Sequence, residues 1–248
     1  MARIAALLGK DEDAARYGEL GTLVRQAWQT EYLDADGRMT PDTQANHVRA
    51  LAFDLVPDEL RPAVAARLVE LIRKADTHLG TGFLATPYLL PVLADAGHLD
   101  VAYELLLQDS EPSWLAMIDR GATTMWERWD GVSADGVPYE SLNHYSKGAV
   151  ISFLHRHAAG IELVEPAYRR FRVRSRPGGG LTWAEAAHES PYGRIESSWR
   201  LERGEFVLRV VVPAGTAAEV VLPDGGTTAA GPGTHTFSCT LPHEETSR

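Results

Sequence analysis

One cysteine, Cys239, occurs in 248 residues, which excludes an internal disulfide and with it a disulfide-stapled secreted fold. No run of about 18 apolar residues occurs, so no segment reads as a membrane-spanning helix. The opening Met1 to Gly9 is followed at once by Asp11, Glu12 and Asp13 rather than by a signal-type apolar stretch. Paired-cysteine motifs, His-Glu-x-x-His and EF-hand loops are all missing, so neither a protein-built metal site nor a cofactor is expected. A Gly-x-Ser-x-Gly elbow is missing too, which removes the usual serine-hydrolase arrangement. Basic charge is scarce: 24 Lys and Arg against 34 Asp and Glu leave a net charge of −10. Residues 1–160 hold 23 acidic and 14 basic side chains (net −9), and 161–248 hold 11 and 10 (net −1). An acidic surface repels phosphate, so nucleic acid is not a partner. Acidity of this size mainly keeps a chain in solution, and the sequence reads as a soluble, cytoplasmic protein.

Hydrophobic residues at 44% and charged residues at 23% are ordinary globular proportions, and the length allows one large domain or two ordinary ones. The patterning changes near Gly160. Before it, apolar residues recur at helical spacing, as in Leu20, Leu23, Val24, Ala27 and Trp28, and again in Leu60, Val64, Leu68, Leu71 and Ile72. Thr40-Pro41-Asp42 and Pro57-Asp58-Glu59 are helix starts, and further helices begin at Pro87, Asp100 and Ser141, the last running to Gly160. With the short Trp114–Asp119 stretch, the spacing predicts six or seven helices. Met1 to Leu8, closed by Gly9, read as the final two turns of a helix begun upstream, a sign of a fragment.

Beyond Gly160 the period becomes two: Phe171 and Val173; Ile195, Ser197, Trp199 and Leu201; Phe206, Leu208, Val210 and Val212; Ala218, Val220 and Leu222. Turn formers separate them, and Arg176-Pro-Gly-Gly-Gly180 reads as a hairpin turn. The expected architecture is a mainly helical domain over 1–160 followed by an antiparallel β-sandwich over 161–248.

Three of the six tryptophans fall between Pro112 and Gly131, around Trp126-Glu127-Arg128-Trp129-Asp130. Gly121 to Gly131 fits neither periodicity and reads as a loop, where binding groups concentrate on a rigid frame. Indole faces suit the C–H faces of a sugar ring, and carboxylates suit its hydroxyls or an attacking water. Glycoside hydrolysis generally needs two carboxyl groups, and Glu127 and Asp130 lie close together in one loop. Against this stands a plainer reading, in which the tryptophans are core and the Glu-Arg pair is a solvated ion pair. His144 sits in the first turn of the predicted long helix, and His155 and His157 point to different sides, which rules them out as a ligand pair.

His78-Leu-Gly-Thr-Gly-Phe-Leu-Ala-Thr-Pro-Tyr-Leu-Leu-Pro91, then Arg120-Gly-Ala-Thr-Thr-Met-Trp-Glu-Arg-Trp-Asp-Gly131, then Leu142-Asn-His-Tyr145 resemble, in order and spacing, bacterial α-L-rhamnosidases of glycoside hydrolase family 78. The resemblance extends to about residue 235. It implies an (α/α)6 barrel followed by a C-terminal β-sandwich, and an inverting hydrolase that removes terminal α-L-rhamnose from glycosides. By resemblance Glu127 is the general base, His144 lies near the sugar, and Trp114, Trp126 and Trp129 wall its pocket. The family's general acid lies in an acidic segment with no counterpart before Glu127, and about half of the twelve barrel helices are found. The chain therefore reads as the C-terminal part of such an enzyme, with an exposed face suited to the missing half or to self-association. The rival readings are a carbohydrate-binding fragment without turnover and a helical scaffold, and the latter lacks the fixed repeat period it would need.

Overall fold

The computed structural model describes residues 1–241, so the last residues of the expected 161–248 domain, 242–248, lie outside the described residues. The first part is helical: α1 (Ala2–Leu7), α2 (Asp11–Tyr32), α3 (Gln44–Ala52), α4 (Arg61–Lys74), α5 (Thr86–Asp95), α6 (Leu99–Leu106), α7 (Trp114–Asp119), α8 (Tyr145–Gly148) and α9 (Val150–Phe153). Local chemistry sets the starts. Thr43 caps α3 by accepting from the Asn46 N–H, and Pro62 stands in the first turn of α4, where its missing donor costs nothing. α5 is the apolar hub, burying Thr86, Leu89, Leu90, Val92, Leu93 and Ala94 against α3 and α6. Each closed leucine of this core, such as Leu68 or Leu93, contributes about 1.5–3 kcal/mol. α2 is different: it buries none of its residues. No helix among the described residues is long and apolar enough to cross a membrane.

The helix expected from Ser141 to Gly160 is not continuous. Residues 141–144 are drawn out of it to pair with the preceding loop, α8 and α9 meet at Ala149, and α9 relaxes into a π-helical turn over Leu154–Ala158. His144 is consequently the N-cap of α8, one position outside the first turn.

Among the described residues eight strands follow: β1 (Ile161–Leu163), β2 (Arg170–Val173), β3 (Trp183–Ser190), β4 (Gly193–Glu202), β5 (Glu205–Val212), β6 (Ala217–Val221), β7 (Thr227–Ala230) and β8 (Gly233–Thr240). They form two sheets, ordered β1-β2-β6-β7 and β3-β4-β5-β8. Phe206, Leu208, Val210 and Val212 of one sheet share a core with Phe171, Val173 and Val220 of the other. One pairing departs from the antiparallel expectation: β2 and β6 run parallel. The glycine triplet is likewise no hairpin turn. It carries the chain from β2 in one sheet to β3 in the other, and on the way it packs onto the helical part, where the Tyr103 hydroxyl donates to the Arg176 carbonyl at 2.6 Å.

The two parts are joined through the end of the π-helical turn, whose last carbonyls have no helical partner. Trp199 Nε1 donates to the Ala158 carbonyl at 2.7 Å, and Ser175 and Ser197 hydroxyls donate to that of Ala159 at 2.9 and 2.7 Å. A Cβ at Gly160 would lie 2.4 Å from the Ser175 nitrogen, so the approach requires glycine, which also supplies the positive φ of 93°.

Candidate active site

The loop between α7 and α8 folds back on itself. The Glu127 N–H donates to the Ser141 carbonyl at 2.8 Å, the His144 N–H to that of Met125 at 2.7 Å, and the Thr124 hydroxyl to that of Leu142. Residues 124–127 and 141–144 thus run side by side, which brings Glu127 and His144 onto one ribbon although seventeen positions separate them. Glu127 is exposed, and its Oε2 accepts from the Ser141 N–H at 3.3 Å. Asp130 is differently placed. Arg128 holds it in a two-pronged ion pair at 2.7 and 2.8 Å, and that hydrogen bond keeps its carboxyl below the ordinary range.

Two of the three tryptophans in and around this ribbon are buried. Trp114, at the start of α7 and capped by Ser113, is 4% exposed, and Trp126 is 5% exposed. Trp129 is half-buried and meets Trp114 edge to face at 5.4 Å. Trp126 covers Gly131 so closely that a Cβ there would overlap its ring at 1.8 Å. Trp114 and Trp129 thus form one aromatic pair, Trp126 packs separately over Gly131, and Trp129 is the most open of the three.

Lys147 ties Trp114 and Trp129 to the ribbon. Its carbonyl accepts from Trp114 Nε1 at 3.0 Å, its ammonium lies 4.5 Å from the Trp129 ring centre, and Nζ donates to the carbonyls of Trp126 and Glu127. Burial pushes this amine down to about 8, against the pull of the Glu127 charge. His144 Nδ1 accepts from the Ser146 N–H at 3.2 Å, which leaves Nε2 as the protonated nitrogen of the neutral ring. That ring stacks on Tyr145 at 5.2 Å and meets the edge of Phe83 at the same separation. The Phe83 loop is braced from α3, where Gln44 accepts from the Gly80 N–H at 2.6 Å and donates to the His78 carbonyl at 3.1 Å.

Of the residues assigned to the sugar site, Trp114 opens α7, Trp126, Glu127 and Trp129 lie in the α7–α8 loop, and His144 caps α8. Lys147, Phe83 and Tyr145 were not singled out. Only the spacing of Lys147, three residues beyond His144 and one helical turn on, could have pointed to it. No group of three or more His, Cys, Asp or Glu among the described residues is placed to hold a metal ion.

Residues 1–158 match the family model of the bacterial alpha-L-rhamnosidase 6 hairpin glycosidase domain, and residues 160–237 that of the bacterial alpha-L-rhamnosidase C-terminal domain. An alpha-L-rhamnosidase of Streptomyces avermitilis is 49% identical over 226 residues, covering 90% of this chain and 22% of that protein. One from Alteromonas sp. is 36% identical over 229 residues, covering 89% of this chain and 25% of the relative. Among solved structures, the Streptomyces avermitilis alpha-L-rhamnosidase complexed with L-rhamnose superposes with a TM-score of 0.92 at 44% identity, over 96% of this chain and 25% of that one. The native enzyme from Aspergillus terreus gives 0.92 at 36% identity, over 96% and 29%. The chain spans about a quarter of the length of the relatives it matches. On this agreement of both parts with their family models, the chain belongs to the bacterial alpha-L-rhamnosidases.

Proposed function

We propose that this chain carries the general-base side of a glycoside hydrolase that releases terminal α-L-rhamnose with inversion. The observation that carries the reading is the Glu127 carboxylate, open to solvent on a ribbon shared with His144 and followed two residues on by the half-buried Trp129. A carboxylate so placed can take a proton from water as that water attacks the anomeric carbon. His144, Trp114, Trp126 and Trp129 would shape the sugar position, with Trp129 nearest the ring. Asp130 is poorly suited to be the acid, because its pairing with Arg128 favours the ionised form. Inversion needs a second carboxyl about 6.5–9.5 Å away, across the sugar. We place that acid outside these 248 residues, in a part of the barrel that would also cover α1 and α2. Until that part docks, the chain lacks its acid and can act only on a substrate whose leaving group departs without one.

Hydrolysis of an aryl α-L-rhamnoside with a good leaving group tests this, since such a substrate needs little help from an acid. Turnover by the chain, reduced at least about a hundredfold in Glu127→Gln with the fold unchanged, is the expected result. Turnover that survives in the variant would remove Glu127 from the base role. Saturable L-rhamnose binding without turnover would instead favour the second reading, a binding fragment, which the single free carboxylate of the site supports.

A further inference from the structure

A second aromatic stands apart from this site, on the outer face of the β3-β4-β5-β8 sheet. Trp183 opens the edge strand β3 and is 62% exposed, whereas Trp199 on the neighbouring strand is buried. Strand alternation turns Trp183 and Glu185 to the same outer face. The register sets Arg200 across from Trp183, and Ser198, Arg209 and Thr236 in one row with Glu185. These six residues border a shallow cleft of about 330 Å³.

The charges of the cleft narrow its ligand. Arg200 is paired with Glu202, and Arg209 with Glu196 at 2.8 Å. These carboxylates offset the positive charge of both guanidinium groups, which weakens their hold on a phosphate or other anion while leaving N–H donors free. An apolar helix would find one exposed indole, with only Ala184, Val207 and the buried Trp199 as apolar neighbours in the cleft. What the cleft offers is one flat apolar plate ringed by hydroxyl, guanidinium and carboxylate groups, which suits a ligand with a C–H face and a rim of hydroxyls.

We propose that this face binds one neutral pyranose ring, seated on Trp183 and hydrogen-bonded through Glu185 and Arg200. The site lies in the β-sandwich and is independent of the hydrolytic reading of Glu127. It would hold a glycan chain beside the enzyme without acting on it.

The test uses the whole chain with 5-fluorotryptophan in place of its six tryptophans, followed by fluorine NMR, with the Trp183 signal assigned by Trp183→Phe. Methyl α-L-rhamnopyranoside and methyl β-D-glucopyranoside are titrated separately, with sorbitol as an open-chain polyol. A saturable shift of the Trp183 signal is expected with at least one glycoside, at a Kd on the order of 1 mM, as suits a one-ring ligand. Glu185→Ala and Arg200→Ala should each weaken it about fivefold or more, while the fold is checked by the unchanged signal of buried Trp199. A Trp183 signal that moves with neither glycoside, or equally with sorbitol, overturns the proposal. If the Trp129 signal alone responds, the sugar site at Glu127 stands and this one falls.

Discussion

A lysine closed off from water is costly unless its ammonium finds oxygen acceptors, and Lys147 finds two carbonyls and an indole face. One of those carbonyls belongs to Glu127, so the ammonium fixes the backbone from which the candidate base projects. Lys147→Met keeps the volume and removes the tie. It is expected to lower turnover of an aryl rhamnoside by roughly 10–100-fold, the order of loss that a misplacement of about 1 Å produces. The melting temperature should fall by no more than about 5 °C, so a variant of unchanged activity would show that Lys147 only packs. The pH dependence follows from its amine, held near 8 by burial. Between there and the ordinary lysine range the unfolded chain binds a proton that the folded chain lacks, so folding gains stability as pH rises through that window, and Lys147→Met should flatten the rise. The sequence showed Glu127 and His144 because they sit in a dense, ordered motif. It hid Lys147 because a lysine on a short helix reads as a solvated surface group, and only the fold reveals that the loop closes over it.

At the scale of elements, the junction at Asp95 joins the end of α5 to the sandwich. Arg176 donates to the Ala94 carbonyl and to Asp95, both at 2.9 Å, and His157 Nε2 lies 3.3 Å from the same carboxylate. Burial alone would push the Asp95 carboxyl up, but the hydrogen bonds and charges of His157 and Arg176 outweigh it and hold it at about 2. A carboxyl depressed in the fold stabilises above its unfolded value, and the contribution disappears as pH falls from about 4 through 2. Asp95→Asn should therefore cost about 1 kcal/mol in urea melts at pH 7, and the gap to the parent chain should close near pH 2. A constant gap would assign the cost to packing. The same part of the chain shows which elements were legible. β5 was plain, because Phe206, Leu208, Val210 and Val212 alternate against exposed Glu205 and Arg209. β3 and β8 carried no such signal: they lie at the two edges of their sheet, and their residues are mostly Ala, Thr, Ser and Glu, with both faces partly open. The predicted helix from Ser141 failed because tertiary hydrogen bonds to residues 124–127 outbid helix propensity in its first turn.

At the scale of the whole molecule, the apolar stripe that made α2 legible as a helix is the part that the fold leaves open. Leu20, Leu23 and Val24 are 51%, 56% and 58% exposed, and Ile4, Leu7 and Leu8 beside them are more open still on average. α1 and α2 pack on each other, and α2 touches the helical core mainly through Trp28 and the Gln29 hydrogen bond to the Leu55 carbonyl. A helical stripe of this width ordinarily faces a partner, and a contiguous apolar surface without one favours association. The net charge of −10 opposes pairing with a second copy, which makes the outcome depend on salt. In sedimentation velocity the chain is expected to form dimers or larger species at about 10–100 µM, more so at high salt than at low. Leu20→Glu with Leu23→Glu, two changes on an exposed face, should leave the melt of the helical core within about 0.5 kcal/mol and abolish the association. A parent chain that stays monomeric at every salt concentration would mean that the stripe does not serve a second copy and is shaped for the remaining helices of a longer barrel. Adding those helices as a separate chain should then cover α2 and extend turnover to a rhamnoside with a poor leaving group, because the face and the proposed acid would arrive together.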